Sequence, residues 1–337
     1  MTAIRNSVAL AIVASVLAFG AASIGMSRAA QAEATALPGP LVSPQWLHDH
    51  AKDVVVIDVR DNLKPLTVEP KFNVDKNTGK KRLAETGGRI PGALSVDFAK
   101  IREERAVDGV KLTAMMPTQE FFEKTMQDAG LDKDATVVIA SPAEDVGSLD
   151  MATRLYFQLK YFGDDKIAVL NGGTNAWISA GYPVSTDAIS AKKGNWTASA
   201  ERKEILATTQ DVKDALRTGA TQLIDARPVA QFYGTAKSPV VLAAGHVQGA
   251  RSLPTEAITK PGNGAQQFMG ANAYRAIFQQ QNIKPDQSTI AYCNTGHLAS
   301  GAWFVAHEIL QNKDAKLYAG SMNEWTHLKN PVESLPE

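Results

Sequence analysis

Short apolar runs alternate along the chain with longer segments in which apolar residues recur at helical spacing. The β-branched runs at 54–57 and 136–140 predict strands, and residues 118–129 and 299–310 predict helices. Because alternating strands and helices are joined by βαβ crossovers, the pattern predicts an α/β fold with mainly parallel sheets and helices on both faces. Ligands of such sheets bind beyond the carboxyl ends of the strands, so functional residues are expected there.

The whole pattern occurs twice. Four blocks appear in the same order in each half: Asp-x-Arg after a strand, Gly-x-x-x-Gly-Ala, a strand followed by Ser or Cys, and Gly-x-x-Asn-x-Trp. Their key residues are Asp58, Gly88, Ser141 and Gly172 in the first copy, and Asp225, Gly245, Cys293 and Gly320 in the second. The repeat predicts two tandem domains, residues 38–188 and 203–333, joined by a linker of small and polar residues at 189–202.

The first copy is the longer of the two. Equivalent residues of the two copies are 167 positions apart at Asp58 and Asp225, but 157 positions apart at Gly88 and Gly245. The first copy therefore has ten extra residues, which lie between 62 and 87. Because this stretch is rich in lysine and contains Asn77-Thr78-Gly79, it is predicted to be a surface loop.

The N-terminus resembles an export signal. Arg5 supplies a positive charge, residues 8–22 form an apolar run, and Ala30-Gln31-Ala32 provides a small-x-small cleavage site. An uncleaved membrane anchor is the alternative, but the run is shorter than the roughly 20 residues of a spanning helix. Residues 1–32 are therefore predicted to be a cleaved signal peptide, with a soluble exported product that is periplasmic if the source is a Gram-negative bacterium.

Composition narrows the classes of function. Lys+Arg and Asp+Glu both total 35, so the formal net charge is +0 and the chain lacks the basic surplus typical of nucleic-acid or anionic-membrane binding. Its single cysteine, Cys293, excludes an intramolecular disulfide and a multi-cysteine metal site. In an exported protein such a thiol is buried and inert, pairs with another chain, or takes part in chemistry.

Cys293 stands where the predicted architecture places chemistry. It follows the strand at 289–292 and precedes a helical segment, with a short turn containing Gly296 between them. Such a turn directs successive backbone amides at one point and can stabilise an anion at the start of a helix. Cysteines at helix N-termini have pKa values lowered to roughly 3.5–7.5. The position favours a nucleophilic thiolate, with a buried structural cysteine as the alternative.

Together the four blocks resemble the rhodanese family of sulfurtransferases over about residues 42–332. The arrangement is similar to two-domain thiosulfate and 3-mercaptopyruvate sulfurtransferases, in which the C-terminal copy alone carries the cysteine. The resemblance implies that Cys293 takes a sulfur atom from a small anionic donor, holds it as a persulfide, and passes it to cyanide or a thiol, with no metal or organic cofactor. The loop residues implied in steadying the sulfur are Asn294, Thr295, Gly296, His297 and Leu298.

The loop departs from both subtypes of that family. Thiosulfate-using relatives often carry basic residues after the cysteine and an arginine four positions beyond Asp-x-Arg, where this chain has Asn294, Thr295 and Gln231. Mercaptopyruvate-using relatives usually show Gly-Ser-Gly after the cysteine, which Asn294-Thr295-Gly296 matches loosely. Thiosulfate is the expected donor, with mercaptopyruvate as the alternative. His297 is either a protonated partner of the thiolate or substrate, or an exposed turn residue.

Other residues of the blocks have expected supporting roles. Asp225 and Arg227 are predicted to pin the sheet edge and the active loop through hydrogen bonds, and His246 to cap local backbone. Arg89 stands where two-domain relatives often have a histidine facing the inter-domain cleft, so it is a candidate anion-binding residue, with a surface arginine as the alternative. Ser141 is a poor nucleophile without an activating base, which predicts a catalytically silent first domain.

Three other functions remain to be weighed. A thiol phosphatase needs Cys-x5-Arg to hold phosphate with a guanidinium, but Ala299 occupies the arginine position. A sulfur carrier, a redox sensor without turnover and a member of a protein sulfur relay would all show the same sequence features, so the sequence does not distinguish them from an enzyme. A dimer linked through Cys293 is disfavoured because the thiol is expected inside an anion-binding turn.

Overall fold

The computed structural model describes residues 36–188, 192–262 and 264–336. The predicted signal peptide at 1–32 and residues 189–191 of the predicted linker lie outside the described residues. Within the described part of the chain, each helix is too short or too polar to cross a membrane.

The first domain is built on a five-stranded parallel sheet. The strands of the domain, which include two hairpins outside this sheet (β3–β4 and β6–β7), are β1 (Leu41–Val42), β2 (Val55–Arg60), β3 (Lys71–Val74), β4 (Lys81–Glu85), β5 (Leu94–Asp97), β6 (Glu103–Val107), β7 (Val110–Met115), β8 (Val137–Ala140) and β9 (Ile167–Leu170). Its helices are α1 (Pro44–Asp49), α2 (Gln119–Ala129), α3 (Val146–Tyr161) and α4 (Gly173–Ser179). The sheet has the order β1-β9-β8-β2-β5, and Ile57 lies opposite both Leu94 and Ile139.

The second domain repeats this plan with a four-stranded parallel sheet. Its strands are β10 (Gln222–Asp225), β11 (Arg251–Ser252), β12 (Thr259–Gly262), β13 (Ala265–Phe268), β14 (Thr289–Tyr292) and β15 (Ala315–Leu317). Its helices are α5 (Thr209–Thr218), α6 (Val229–Phe232), α7 (Thr255–Ile258), α8 (Ala271–Gln280), α9 (Leu298–Phe304) and α10 (Ser321–His327). The sheet order is β11-β10-β14-β15, and α9 continues into a π-helical turn at Val305–Ile309.

Each sheet is covered by helices on both faces, which confirms the predicted fold class. Successive side chains of a strand point to opposite faces. In β2, Ile57 packs in the cluster that contains helices α2 and α3, whereas Val56 packs with α1 and α4. In β14, Ala291 faces the side of α8 and α9, whereas Tyr292 faces α5 and α10.

The two domains share one apolar core. A single cluster of buried residues runs from the inner face of the first sheet through α3 and α9 to the inner face of the second. Helix α3 begins with a capping box between Asp145 and Ser148, and its buried side packs closely on α9 at Gly301, where any side chain would collide with the carboxylate of Asp150. Every residue of α3 from Leu149 to Leu159 is buried, which explains why most residues of this stretch are apolar.

Residues 192–202 of the predicted linker lie along the first domain. The amide of Trp196 donates to the carbonyl of Leu131, and its ring packs edge-on to Phe122 with 5.4 Å between centroids. Trp196 is only 3% exposed. This part of the chain is therefore a strap fixed to the first domain.

Two β-hairpins join the domains reciprocally and were not predicted from the sequence. The hairpin β6–β7 of the first domain reaches the second, where Asn323 Nδ2 donates to the carbonyl of Thr113 at 2.9 Å. The hairpin β12–β13 reaches the first domain, where Asn175 Nδ2 donates to the carbonyl of Gly264 at 3.2 Å. The inserted stretch predicted as a surface loop is exposed and contains a third hairpin, β3–β4.

Candidate active site

Cys293 lies at the carboxyl end of β14, on the strand face that points toward the first domain. It is 1% exposed and belongs to the apolar cluster shared by the two domains. Its amide donates to the Ser321 hydroxyl at 3.0 Å, and its carbonyl accepts from the amide of Met322 at 3.0 Å. The first turn of α10 therefore fixes the backbone of the nucleophile.

Ser321 is a supporting residue that sequence reasoning missed. Its φ is +53°, in the left-handed region that favours glycine, and the equivalent residue of the first copy is Gly173 with φ +55°. Its buried hydroxyl donates to the carbonyl of Tyr318 at 2.8 Å while it accepts from Cys293. The sequence did contain a signal for this role, because the second copy has a serine where the first copy has Gly173.

The loop after Cys293 has the form predicted for an anion-binding turn. Gly296 has φ +73°, and a side chain there would collide with Arg154 and with the carbonyl of Ala319. The amides of residues 294–298 make no hydrogen bond to a described residue. They remain free to bind negative charge at the start of α9.

The polar side chains of the loop use only part of their hydrogen-bonding capacity on described residues. Asn294 Nδ2 donates to Gln231 Oε1 at 2.8 Å, whereas its Oδ1 is buried without a partner among the described residues. Thr295 is half-buried, and Leu298 packs against the shared core. Gln231 therefore braces the loop from α6 at the position where some relatives have an arginine.

His297 contacts the first domain. Its Nε2 lies 2.9 Å from the carbonyl of Gly147, and its ring lies 4.5 Å from that of Phe98. Burial lowers the pKa of His297 to about 3, with the charge of Arg102 acting in the same direction. The imidazole is neutral near pH 7 and donates from Nε2 to Gly147, a role that neither sequence interpretation included.

Two arginines of the first domain lie beside the Cys293 loop, one in direct contact and one through Phe98, and sequence reasoning missed both. Arg154, on α3, is 0% exposed and donates from Nη1 to the carbonyl of Gly296 at 3.0 Å. Burial lowers its pKa to about 9, and the charge of Arg102 acts in the same direction. Arg102 follows the 3₁₀ turn Phe98–Ile101 and stacks over Phe98 at 4.2 Å. A lone arginine in the largely apolar α3 was the available signal for Arg154.

Asp225 and Arg227 form a buried ion pair below the site. Arg227 donates to both carboxylate oxygens of Asp225, at 2.9 and 2.6 Å, and to the carbonyl of Gly245 at 2.7 Å. Burial acts to lower the pKa of Arg227, but the hydrogen bonds and the charge of Asp225 hold it above its usual value. The first domain has the same arrangement in Asp58, Arg60 and Gly88. Because both copies have this arrangement and only one has a cysteine, its role is structural. In the second domain it ties the end of β10 to the segment that begins at Gly245.

His246 and Arg89 occupy equivalent places in their domains and both are buried, so the interpretation of Arg89 as a surface arginine is wrong. His246 Nδ1 lies 2.8 Å from the carbonyl of Phe232, and its backbone pairs with Glu333. Arg89 pairs through its backbone with Ser185 and donates from Nη1 to the carbonyl of Asp187 at 2.8 Å. The hydrogen bonds of Arg89 to described residues do not reach the Cys293 loop.

The corresponding loop of the first domain has different chemistry. Ser141 is fully buried and its hydroxyl has no partner among the described residues, while its carbonyl accepts from Thr174. The amide of Gln266, from β13, donates to the carbonyl of Ala143 at 2.8 Å and covers this loop. Among the described residues there is no group of three or more His, Cys, Asp or Glu side chains placed to hold a metal ion.

Comparison with known proteins gives consistent matches over most of the chain. A family model described as Rhodanese-like domain matches residues 43–180 and 208–328. The chain is 28% identical over 299 residues to a putative thiosulfate sulfurtransferase of Haloferax volcanii, covering 87% of this chain and 96% of that protein. It is 26% identical over 303 residues to the sulfur carrier protein TtuD of Thermus thermophilus, covering 86% and 95%.

The fold is also found among solved structures. The crystal structure of SseA from Escherichia coli, described with the rhodanese fold and catalytic mechanism of 3-mercaptopyruvate sulfotransferases, matches with a TM-score of 0.68 at 24% identity. The match covers 84% of this chain and 98% of SseA. At this identity the match bears on the fold alone.

Proposed function

The chain belongs to the rhodanese family and is a sulfurtransferase of that family, and on this premise we propose that Cys293 transfers sulfur from thiosulfate to cyanide or a thiol. The Cys293 thiolate attacks the outer sulfur of thiosulfate, the S–S bond of the donor breaks, and sulfite leaves with the bonding electron pair. The enzyme then carries a Cys293 persulfide. In the second step the acceptor attacks the outer sulfur, forms thiocyanate or a new persulfide, and restores the thiolate.

One observation carries this proposal. Cys293 stands alone at the carboxyl end of β14, facing the domain interface, and is followed by amides that make no hydrogen bond to a described residue. Those amides can bind negative charge on sulfur both in the attacking thiolate and in the persulfide. The Cys293 side chain is as buried as that of an inert core cysteine. The free backbone amides that follow it are what distinguish Cys293 from such a residue.

The decisive experiment measures thiocyanate formed from thiosulfate and cyanide. The wild-type protein is expected to turn over, and Cys293→Ser to form no product because its hydroxyl is a poor nucleophile. Ser141→Ala is the matched control, since Ser141 holds the equivalent position in the first copy and is expected to be dispensable. Equal activity of Cys293→Ser and the wild type would end the proposal.

Mercaptopyruvate is the second candidate donor. The turn Asn294-Thr295-Gly296 is loosely similar to the Gly-Ser-Gly of relatives that use it. Measuring kcat/KM for both donors on one preparation decides between them, and a higher value for mercaptopyruvate would reassign the donor.

A sulfur carrier is the candidate from another class. The relative TtuD is named as one, and a relay needs the same persulfide without turnover of a small acceptor. If neither donor yields product with cyanide, while intact mass shows one added sulfur atom at Cys293, the carrier function replaces the enzymatic one. The added sulfur would then be passed to a protein partner.

We also propose, from the sequence, that Arg89 takes part in donor binding. The residue is buried, and its Nη1 donates to the carbonyl of Asp187. Arg89→Ala is expected to raise KM for an anionic donor more than it lowers kcat. An unchanged KM would remove Arg89 from the site.

We also propose export of the protein with cleavage after Ala32, on the grounds of the N-terminal sequence. The N-terminal residue of the mature protein, read by mass spectrometry from the periplasmic fraction of a Gram-negative host, is expected to be Glu33. Retention of residues 1–32 in a membrane fraction would favour the anchor.

A further inference from the structure

We infer that Arg102 and Arg154, both from the first domain, form the site that holds the anionic end of the sulfur donor against Cys293. The inference rests on the proposed function and adds to it the residues that bind the donor and select a small dianion such as thiosulfate. The first domain, which lacks a nucleophile, then supplies the positive charge that the Cys293 loop lacks.

Arg154 contacts the Cys293 loop directly, and Arg102 is linked to it through Phe98. Arg154 donates to the carbonyl of Gly296, and Gly296 leaves space for that guanidinium because any side chain there would collide with it. Arg102 is stacked on Phe98, whose ring contacts His297 of the loop. The charge of Arg102 also lowers the pKa of His297 in the loop and the pKa of Arg154, so its guanidinium lies near both. The two cations therefore lie on the first-domain side of the nucleophile.

The hydrogen-bonding capacity of this pair is largely unused. Nε and Nη2 of Arg154 are buried without a partner among the described residues, and so is Nε of Arg102. Asp97 and Asp61 act to raise the pKa of Arg102 against its partial burial, whereas burial and the charge of Arg102 lower the pKa of Arg154. Holding a buried guanidinium beside a half-buried one is unfavourable unless anions accompany them, and a bound donor provides an anion.

The internal repeat shows that these cations are specific to the cysteine side. At the offset of 157 the 3₁₀ turn Phe98–Ile101 corresponds to α7, and Arg102 corresponds to Thr259. Arg154 corresponds to Ala306 at the offset of 152 between Ser141 and Cys293, and to Ala302 at the offset of 148 between Gly172 and Gly320. The reciprocal bonds of Asn175 and Asn323 show that each copy faces the other in the same way. The second domain thus presents a threonine and an alanine where the first presents two arginines.

The reaction explains the need for two cations. A thiolate that attacks thiosulfate approaches a dianion, so repulsion between the reactants opposes the first step. Guanidiniums pair well with oxyanions because their donors form a planar fork, and they keep their charge when buried. Held in place beforehand, they offset the repulsion and the charge that develops on the departing sulfite.

Arg102→Gln and Arg154→Lys test the inference in the full chain. Each is expected to raise KM for thiosulfate about tenfold or more, the effect of losing a charge-assisted hydrogen bond, with a smaller fall in kcat. Arg102→Lys, which keeps the charge, should recover part of the loss. The rise should be smaller with mercaptopyruvate, whose single carboxylate gains less from two cations. Arg105→Gln, at an exposed position of β6 three residues after Arg102, is the matched control and should leave KM unchanged.

Calorimetric titration of thiosulfate into Cys293→Ser protein separates this inference from the proposed function, since binding needs no turnover. Adding Arg102→Gln or Arg154→Lys should weaken binding about tenfold, and adding Arg105→Gln should not. An active wild type whose KM and thiosulfate affinity are unchanged by Arg102→Gln and Arg154→Lys would overturn the inference and leave the proposed function standing. Binding that depends on both arginines in a protein without turnover would keep the inference and end the enzymatic proposal.

Discussion

At the scale of single residues, the site depends on one serine in an unfavourable backbone conformation. Ser321 takes a positive φ that Gly173 takes at the same point of the first copy, and its hydroxyl holds the amide of Cys293. A non-glycine residue in this region costs about 1 kcal/mol or more. Strain kept at such a place is typical of a functional role.

Ser321→Gly is therefore expected to separate stability from activity. The variant relieves the backbone strain but loses the hydroxyl, so its free energy of unfolding should change by no more than about 1 kcal/mol, while kcat falls. Ser321→Ala keeps the strain and also loses the bond, and should be destabilised by about 1–3 kcal/mol. Urea unfolding and the thiocyanate assay measure both variants. Full activity in Ser321→Gly would show that the hydroxyl does not position Cys293.

His297 gives the protein a defined pH dependence. Its pKa falls from 6.5 in the unfolded chain to about 3 in the folded one, because of burial and the charge of Arg102. Below pH 6.5 the unfolded state takes up a proton that the folded state refuses, so the stability from the neutral ring is present above pH 6.5 and is lost progressively as the pH falls toward 3.

Replacing His297 by glutamine removes this dependence while keeping a donor for Gly147. Between pH 7.5 and 5.5 the wild type should lose about 1 kcal/mol of unfolding free energy relative to His297→Gln. Urea unfolding of both proteins at the two pH values measures the difference. Parallel loss in the two proteins would mean that the imidazole takes up its proton as readily in the folded chain as in the unfolded one.

At the scale of elements, the interface of α3 with α9 contains a buried carboxyl group. Asp150 is fully buried, its Oδ2 has no partner among the described residues, and Gly301 lies against it. Burial raises the pKa of Asp150 well above 3.8, and the charges of Glu256 and Asp145 add to the shift. The unfolded chain releases this proton above pH 3.8 whereas the folded chain retains it, so stability falls as the pH rises.

Asp150→Asn should consequently stabilise the protein at pH 7 by about 1 kcal/mol or more, since the amide has nearly the same shape and does not ionise. The gain should shrink as the pH is lowered toward 3.8, where both states of the wild type hold the proton. Thermal and urea unfolding at pH 4 and 7 provide the measurement. A gain that does not vary with pH would assign the effect to packing.

The elements near Cys293 were predictable because their signal is local. Strand β14 occupies the predicted residues, and the glycine turn and helix follow in order. The hairpins that join the domains were not predictable, because their contacts link residues as far apart in the sequence as Thr113 and Asn323. Arg102 begins the run Arg102-Glu103-Glu104-Arg105, which in sequence is indistinguishable from a solvated surface. The nucleophile could be found from one segment, but the cations depend on how the two copies meet.

At the scale of the whole molecule, the two copies form one structural unit. Cys293, Trp303 and Phe304 of the second domain are buried in the same cluster as residues of α3. A second domain expressed alone would expose that face of α9 and lose the bond from Arg154 to Gly296. Exposing a core-sized apolar face destabilises a domain and promotes association.

Residues 203–337 alone are expected to be insoluble or to bind a hydrophobic dye, and to form no thiocyanate. Coexpression with residues 33–202 should restore a soluble complex and much of the activity, because the apolar face is covered again and the first half carries the strap with Trp196. Size-exclusion chromatography and the thiocyanate assay compare the two preparations. A soluble, fully active second half would show that sulfur transfer needs nothing from the first copy, whereas activity that returns only on assembly makes the interface itself part of the active site.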